Sequence, residues 1–227
     1  MSGTDSFGTL RDLALARRSI RGFRANPVPD AVLRDALALA QQAPSNCNTQ
    51  PWDVHLVSGA ALERVRAALV EASSAGRPVV EDFPQHAGYR GVHRDRQIGS
   101  AKALYGALGI ERGDKAGRIK AALDNFRFFG APHAAFVFLS EHYGVREAAD
   151  CGMFAQTLML ALAARGVGSC AQGAIGHRAD IVRAELGVAD SQRLLFAIAI
   201  GQEDAAHPAN AARTDRAAVD DAVVFHH

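Results

Sequence analysis

The sequence predicts an α+β domain in which a small sheet is covered by helices. Most of the chain has apolar residues at the three- and four-residue spacing of helices, whereas segments 52–58, 134–139 and 194–200 have the apolar alternation or continuous apolar run of strands. With 227 residues and 48% hydrophobic content, the chain can bury one sizeable core. We therefore expect a single domain over 1–227.

The first helix is expected to begin at Asp5 or Ser6, either of which can cap it. Four apolar residues at helical spacing should face inward: Leu10, Leu13, Ala14 and Ala16. The helix then delivers the segment Arg17 to Arg21, Arg-Arg-Ser-Ile-Arg. Guanidinium groups bind phosphate bidentately and a serine hydroxyl adds a further bond, so this segment can form an anion clamp. A solvated helix end would carry the same residues.

A second helix should have Asp30 as its cap and end near Ala43, because Pro44 cannot continue it. The polar loop 43–52 follows, and it carries five hydrogen-bonding side chains: Ser45, Asn46, Asn48, Thr49 and Gln50. These groups suit a flat heteroaromatic ligand. The alternative is a turn whose side chains bond their own backbone.

Segment 52–58 is predicted to be a strand and segment 60–72 an Ala-rich helix. From 76 to 117 the pattern loosens into Pro, Gly, His and Arg with short apolar groups. We interpret 76–117 as an insertion with one or two helices that builds the walls of a substrate site, because such segments carry specificity while a scaffold positions them.

Segment 124–132 contains three phenylalanines, which we assign to the core, directly before the buried strand 134–139. Segment 145–165 is apolar on nearly every side and should be a buried helix that also meets a partner subunit. The glycine-rich segment 166–176 is interpreted as a loop whose backbone can approach a ring closely. The remaining elements are a short helix and a strand: 179–186 and 194–200.

Composition excludes several classes of partner. The formal net charge of +1 provides no basic field for nucleic acid or anionic lipid. The three cysteines are far apart and lack metal-site spacing, which argues against a disulfide framework and a zinc site and favours a reducing cytoplasm. Asp5 and Arg11 interrupt any signal-peptide core, so we expect neither export nor a membrane anchor. His226 and His227 receive no role.

Motifs for side-chain catalysis are missing from the sequence. There is no serine nucleophile elbow, no His-Glu-x-x-His metal motif, no Walker loop and no Gly-x-Gly-x-x-Gly dinucleotide fingerprint. His133, His142 and His177 occur singly and are interpreted as ordinary core or surface histidines.

The order of the motifs resembles the flavin-dependent nitroreductase family. The resemblance is carried by Arg17 to Arg21, by Pro-Ser-Asn-x-Asn-x-Gln-Pro-Trp from Pro44, by the glycine-rich segment and by 201–213, so that it covers nearly the whole chain. It implies a mixed central sheet flanked by helices in an intertwined homodimer, with FMN at the subunit interface.

The same resemblance implies roles for particular residues. Arg17, Ser19 and Arg213 would hold the FMN phosphate, and Arg18 would brace that end. Arg21 would lie beside the pyrimidine side of the ring as a redox tuner. The ring would be oriented by polar groups, some from the partner subunit: Ser45, Asn46, Asn48, Gln50, Asn125, Gln172 and Gly173. Asp124 is an alternative to Asn125.

Many members carry a lysine where this chain has Ala211, so the phosphate would rely on Arg17, Ser19 and Arg213, and either its affinity is lower or another cation compensates. The implied activity is two-electron, ping-pong reduction of nitroaromatic or quinone-type acceptors by NADH or NADPH through FMN, without a catalytic side chain. Two alternatives remain open: a flavoenzyme of the same superfamily that dehydrogenates or fragments its substrate, and a flavin-binding module without turnover.

Overall fold

A computed structural model describes residues 5–83 and 88–226. Within them the helices are α1 (Ser6–Ala16), α2 (Asp30–Ala40), α3 (Gly59–Ser74), α4 (Gly91–Ala107), α5 (Lys115–Phe126), α6 (Val145–Ala164) and α7 (Ala179–Leu186). The strands are β1 (Trp52–Ser58), β2 (His133–Ser140), β3 (Gly168–Gln172) and β4 (Gln192–Gly201). Part of the proposed insertion, 84–87, and His227 lie outside the described residues.

The strands form one sheet in the order β1-β2-β4-β3, and each neighbouring pair is antiparallel. Parallel pairing occurs at isolated bridges, one of which joins Ser19 to Ser169. The α+β class with a helix-flanked central sheet is confirmed. β1 coincides with its predicted bounds, and β2 and β4 extend theirs by one or two residues at each end.

Alternation along β2 separates the core into two layers. Ala134, Phe136 and Phe138 pack into a cluster with residues of α3 and α7, whereas the intervening residues face a second cluster with α2 and α6. Since successive side chains of a strand point to opposite faces, a strand that is apolar throughout must be covered on both sides. β2 is therefore the centre of the fold.

Two helices, α1 and α6, have apolar residues that no other part of the described chain covers. On α1 only Gly8 is buried, and Phe7, Leu10 and Leu15 are 75%, 56% and 76% exposed. On α6 one face is buried, but Met153 on the other face is 39% exposed. The prediction that α1 faces inward is wrong within one protomer, whereas the prediction that α6 contributes to the core is confirmed and its contact with a partner subunit stays a prediction.

Two further expectations are corrected. Segment 168–172, interpreted as loop, is strand β3, because it pairs with β4 on one side and meets Ser19 and Ile20 on the other. Asp30 is the first residue of α2 rather than its cap, and Pro29 occupies the cap position without a side-chain bond. Segment 76–117 contains helix α4 and the start of α5, and its interpretation as an insertion stays a prediction.

Candidate functional site

Arginines from both ends of the chain converge on one cavity of about 310 Å³. Arg17, Ser19 and Arg21 enter from the segment after α1, and Arg213 enters from the segment after β4. Arg18 and Arg216 line the same cavity, and α4 closes one side with Ser100 and Leu104. The structure thus brings together in one cavity the residues that the sequence nominated for phosphate binding.

The sheet edge fixes the first segment in place. The Ile20 N–H donates to the Ser169 carbonyl at 3.0 Å, and Ser19 bridges Ser169 of β3. Further along, the Arg24 N–H donates to the Gln202 carbonyl at 2.9 Å. Backbone pairing therefore sets the position of the clamp more firmly than a free loop would.

Asn210, which the sequence analysis missed, joins the two segments. It is 4% exposed and lies in a short 3-10 turn, Pro208–Ala211. Its Oδ1 accepts the Arg21 N–H at 2.7 Å, while its Nδ2 donates to the carbonyls of Gly22 and Asp204 at 2.8 and 2.9 Å. Its own carbonyl accepts from Arg213 Nη1 at 2.7 Å. The Asn210 side chain thus fixes the backbone at Arg21 and Gly22, and the Asn210 backbone carbonyl orients the Arg213 guanidinium.

The cavity carries uncompensated positive charge. Arg18 forms an ion pair with Glu203. Within the described residues, no carboxylate pairs with Arg17, Arg21, Arg213 or Arg216. The guanidinium groups of Arg21, Arg213 and Arg216 donate to backbone carbonyls and to one hydroxyl. Burial raises the pKa of the neighbouring Cys170 thiol, although Arg21, Ser19 and Arg17 act to lower it. An anion is the natural ligand for such a cavity.

The polar loop has a strained backbone. Cys47, Asn48 and Gln50 have φ values of 50°, 56° and 48°. The Gln50 N–H donates to Ser45 Oγ at 2.9 Å, and the Asn46 N–H donates to Asp150 Oδ2 at 3.0 Å. The first of these bonds is that of an ordinary turn and the second joins the loop to α6. Positive φ at three non-glycine residues nevertheless costs free energy that a simple turn does not require.

One protomer does not bring the polar loop to the arginine cavity. The loop is bonded to Asp150 near the start of α6, whereas Ala163 near its end lines a smaller cavity beside Arg17. These two positions are about 20 Å apart at roughly 1.5 Å rise per helical residue. Ser45, Asn46, Asn48 and Gln50 therefore lie away from Arg17 within the same chain.

The other ring candidates meet at the end of β3. Gln172 is 2% exposed, and its Nε2 donates to the Asn125 carbonyl at 2.8 Å, while its Oε1 has no partner in the described structure. Asn125 Nδ2 donates to the Ala122 carbonyl at 3.3 Å, and Asp124 pairs with Arg127 at 3.1 Å. A Cβ at Gly173 would meet open space. The exposed backbone of Gly173 can approach a ring, and the arginine cavity can hold a phosphate, so together they suit a ligand that has both.

Other polar groups have structural roles. His133 is buried and its Nε2 accepts the Val28 N–H at 2.9 Å, so burial lowers its pKa despite the nearby charge of Asp30. In the described ranges no cluster of His, Cys, Asp and Glu could hold a metal ion. None of the described helices combines the length and apolarity that a membrane crossing needs.

Comparison with known proteins gives a consistent result. The family model described as the nitroreductase family matches residues 14–202. Nitroreductase NfnB of Mycolicibacterium smegmatis is 42% identical over 94% of this chain and 91% of that protein. A 4-nitrobenzoate reductase of Nocardioides sp. is 33% identical over 92% of this chain and 86% of its own length.

A solved structure extends the similarity to the fold. The FMN-dependent nitroreductase NfnB from Mycobacterium smegmatis, in complex with NADPH, superposes with a TM-score of 0.93 and 40% identity. The match covers 98% of this chain and 100% of that one.

Proposed function

The chain belongs to the nitroreductase family, and on this premise we propose that it is an FMN-dependent oxidoreductase that uses NADPH or NADH to reduce nitroaromatic or quinone-type acceptors. The observation that carries the proposal is the cavity where Arg17, Ser19 and Arg213 converge without a counter-ion from the described residues. When bound, FMN supplies hydride and electron transfer. The protein binds the cofactor, orients it and sets the charge around it.

Arg17, Ser19 and Arg213 are assigned to the phosphate. Charge-assisted hydrogen bonds to a phosphate contribute about 1.5 to 3 kcal/mol each when well placed. Arg18 is held by Glu203 and braces the cavity wall. Arg213 is held by the carbonyls of Asn210 and Ala212, so its guanidinium loses less freedom on binding than an untethered arginine would.

Arg21, Gln172, Gly173 and Asn125 are assigned to the ring. Arg21 Nη1 lies 3.5 Å from the Ser19 carbonyl, and its backbone is fixed by Asn210. A fixed cation beside the pyrimidine side favours negative charge there, so Arg21 tunes the cofactor potential. Gln172 is fixed by Asn125, and the exposed backbone of Gly173 leaves room for close approach.

We further propose a homodimer in which the second copy supplies the polar loop. The exposed apolar residues of α1 and α6, among them Leu15 and Met153, form the surface for a second copy. Within one protomer the polar loop lies away from the arginine cavity. In the dimer, the loop of one protomer would reach the cavity of the other with Ser45, Asn46, Asn48 and Gln50. A cytoplasmic location fits the three free thiols.

The test combines spectroscopy and turnover. Arg17→Ala with Arg213→Ala should give colourless protein that regains little activity when FMN is added, whereas Arg94→Ala, outside the cavity, should remain yellow. A double variant that keeps full colour would refute the phosphate assignment.

Steady oxidation of NADPH with 4-nitrobenzoate or a quinone should occur in the parent protein. Bound FMN that NADPH cannot reduce would instead support a non-catalytic flavin-binding module. Sedimentation should give a dimer, and a monomer that retains FMN would contradict the shared site.

A further inference from the structure

Three cavities follow one face of α4. Arg96, Ser100 and Leu104 are four residues apart, so their side chains project from the same side of the helix. The arginine cavity of about 310 Å³ is followed by a cavity of about 600 Å³ and then one of about 520 Å³. Ser100 lines all three, so they are neighbours along the helix.

Guanidinium groups mark both boundaries of the middle cavity. Arg216 lines the arginine cavity and the middle one, and Arg96 lines the middle cavity and the last one. In the described part of the chain, no carboxylate pairs with either residue. Arg216 is oriented by bonds from its Nη1 to the Thr214 hydroxyl at 3.2 Å and to the Asp215 carbonyl at 3.0 Å.

One phosphate does not account for the charge in this region. Arg17, Arg21, Arg213 and Arg216 bring four positive charges to the arginine cavity, whereas a phosphate monoester carries about two negative charges at neutral pH. The proposed function uses Arg17 and Arg213 for that phosphate and Arg21 for the ring. Arg216, at the boundary with the middle cavity, remains for another anion.

We propose that Arg216 and Arg96 form a second phosphate subsite, and that its ligand is the 2′-phosphate of NADPH. This inference rests on the proposed function. The chain has no Gly-x-Gly-x-x-Gly loop to bind a dinucleotide, so surface groups must hold the adenosine half. Beyond Arg96 the last cavity presents the rings of Tyr89, His93 and Tyr105, against which an adenine can stack.

Two carboxylates reduce the positive charge of the middle cavity. Asp215 and Asp221 also line the middle cavity, and Asp221 Oδ2 accepts the Ala218 N–H at 3.3 Å. They lower the net charge of that cavity, so anion binding there depends on direct contact with the two guanidinium groups rather than on a general positive field. Loss of one arginine should therefore have a large effect.

The experiment compares the two reductants in the FMN-loaded enzyme. Arg96→Gln and Arg216→Gln should each lower the ratio of kcat/KM for NADPH over NADH by about tenfold or more, as expected for the loss of a charge-assisted bond. The matched control is Arg94→Gln, because Arg94 lies on α4 and bonds Gln97 at 2.5 Å but lines none of the three cavities. Its ratio should match the parent.

Binding measurements give a readout independent of turnover. Adenosine 2′,5′-bisphosphate should bind the parent more tightly than AMP, and both variants should lose that difference. An unchanged ratio, or an equal loss for NADPH and NADH, would overturn the proposal.

A fall in FMN affinity relative to riboflavin in Arg216→Gln would also overturn it, since Arg216 would then belong to the cofactor phosphate site. A parent protein that binds FMN but oxidises neither nucleotide would refute the proposed function instead.

Discussion

Replacing Asn210 should both destabilise the fold and weaken cofactor binding. Asn210→Ala removes one bond to the Arg21 N–H and two to the carbonyls of Gly22 and Asp204, all at 2.7 to 2.9 Å. A net value of about 0.5 to 1.5 kcal/mol per bond, with buried groups left unsatisfied, gives a loss of roughly 2 to 4 kcal/mol in the free energy of unfolding.

The expected shift is measurable by circular dichroism. For a chain of this size, each kcal/mol lowers Tm by about 2 to 4 °C, so Asn210→Ala should melt roughly 5 to 15 °C below the parent at equal protein concentration. Asn26→Ala is the matched control, because Asn26 is exposed, and its Tm should stay close to that of the parent.

Cofactor binding tests the second half of the reasoning. Because the Asn210 side chain fixes the backbone at Arg21, whose guanidinium lines the cavity, fluorescence titration should give a higher Kd for FMN in Asn210→Ala than in Asn26→Ala. A variant that melts with the parent and binds FMN equally well would refute the idea that this side chain organises the cavity.

Two further predictions concern His133 and Gly22. Folding lowers the pKa of His133, so its contribution to stability should be complete above the unfolded pKa of about 6.5. The contribution should decline as pH falls towards the folded pKa, by up to roughly 1.4 kcal/mol per pH unit. Urea midpoints of His133→Gln should lack this decline, and the same pH dependence of the midpoint in parent and variant would contradict the assignment. A Cβ at Gly22 would lie 2.2 Å from His207 Cγ and 2.4 Å from His207 Cβ, so Gly22→Ala should cost about 1 to 3 kcal/mol. His207→Gly, which removes both atoms, should relieve much of this cost in a double-mutant cycle, and additive effects would contradict the steric explanation.

Periodicity in the sequence was enough to predict most of the fold. Strand β1 and helix α7 have the predicted bounds because each alternates or repeats its apolar residues over its full length. Strand β3, Gly-Ser-Cys-Ala-Gln, has no β-branched or aromatic residue to identify it. It is a strand because β4 and Ser19 pair with it, which is information about distant parts of the chain.

The exposed surface of α1 has a different cause. A helical pattern tells which residues share a face, but it does not tell whether the cover comes from the same chain or another. Leu10 has the spacing of a core residue and is nevertheless 56% exposed. The prediction that this chain buries Leu10 is wrong, and the prediction that α1 ends at the cationic segment is confirmed.

Only the site residues that belong to a recognisable motif were found from the sequence. Arg17 and Arg213 could be nominated, and the structure places them together. Asn210, in Pro-Ala-Asn-Ala, has the composition of an ordinary turn, and Ser100 lies in a helix with no buried residue. Their importance arises from contacts between segments far apart in sequence, which composition and spacing do not encode.

The unpaired arginines favour cofactor binding but lower the thermal stability of the ligand-free protein. Like charges held close together raise the free energy of the ligand-free fold, and a bound dianion removes that penalty. Replacing one of these arginines by a neutral residue would therefore tend to stabilise the empty protein while impairing the loaded one. Engineering for heat resistance alone would select against the residues that make the protein useful.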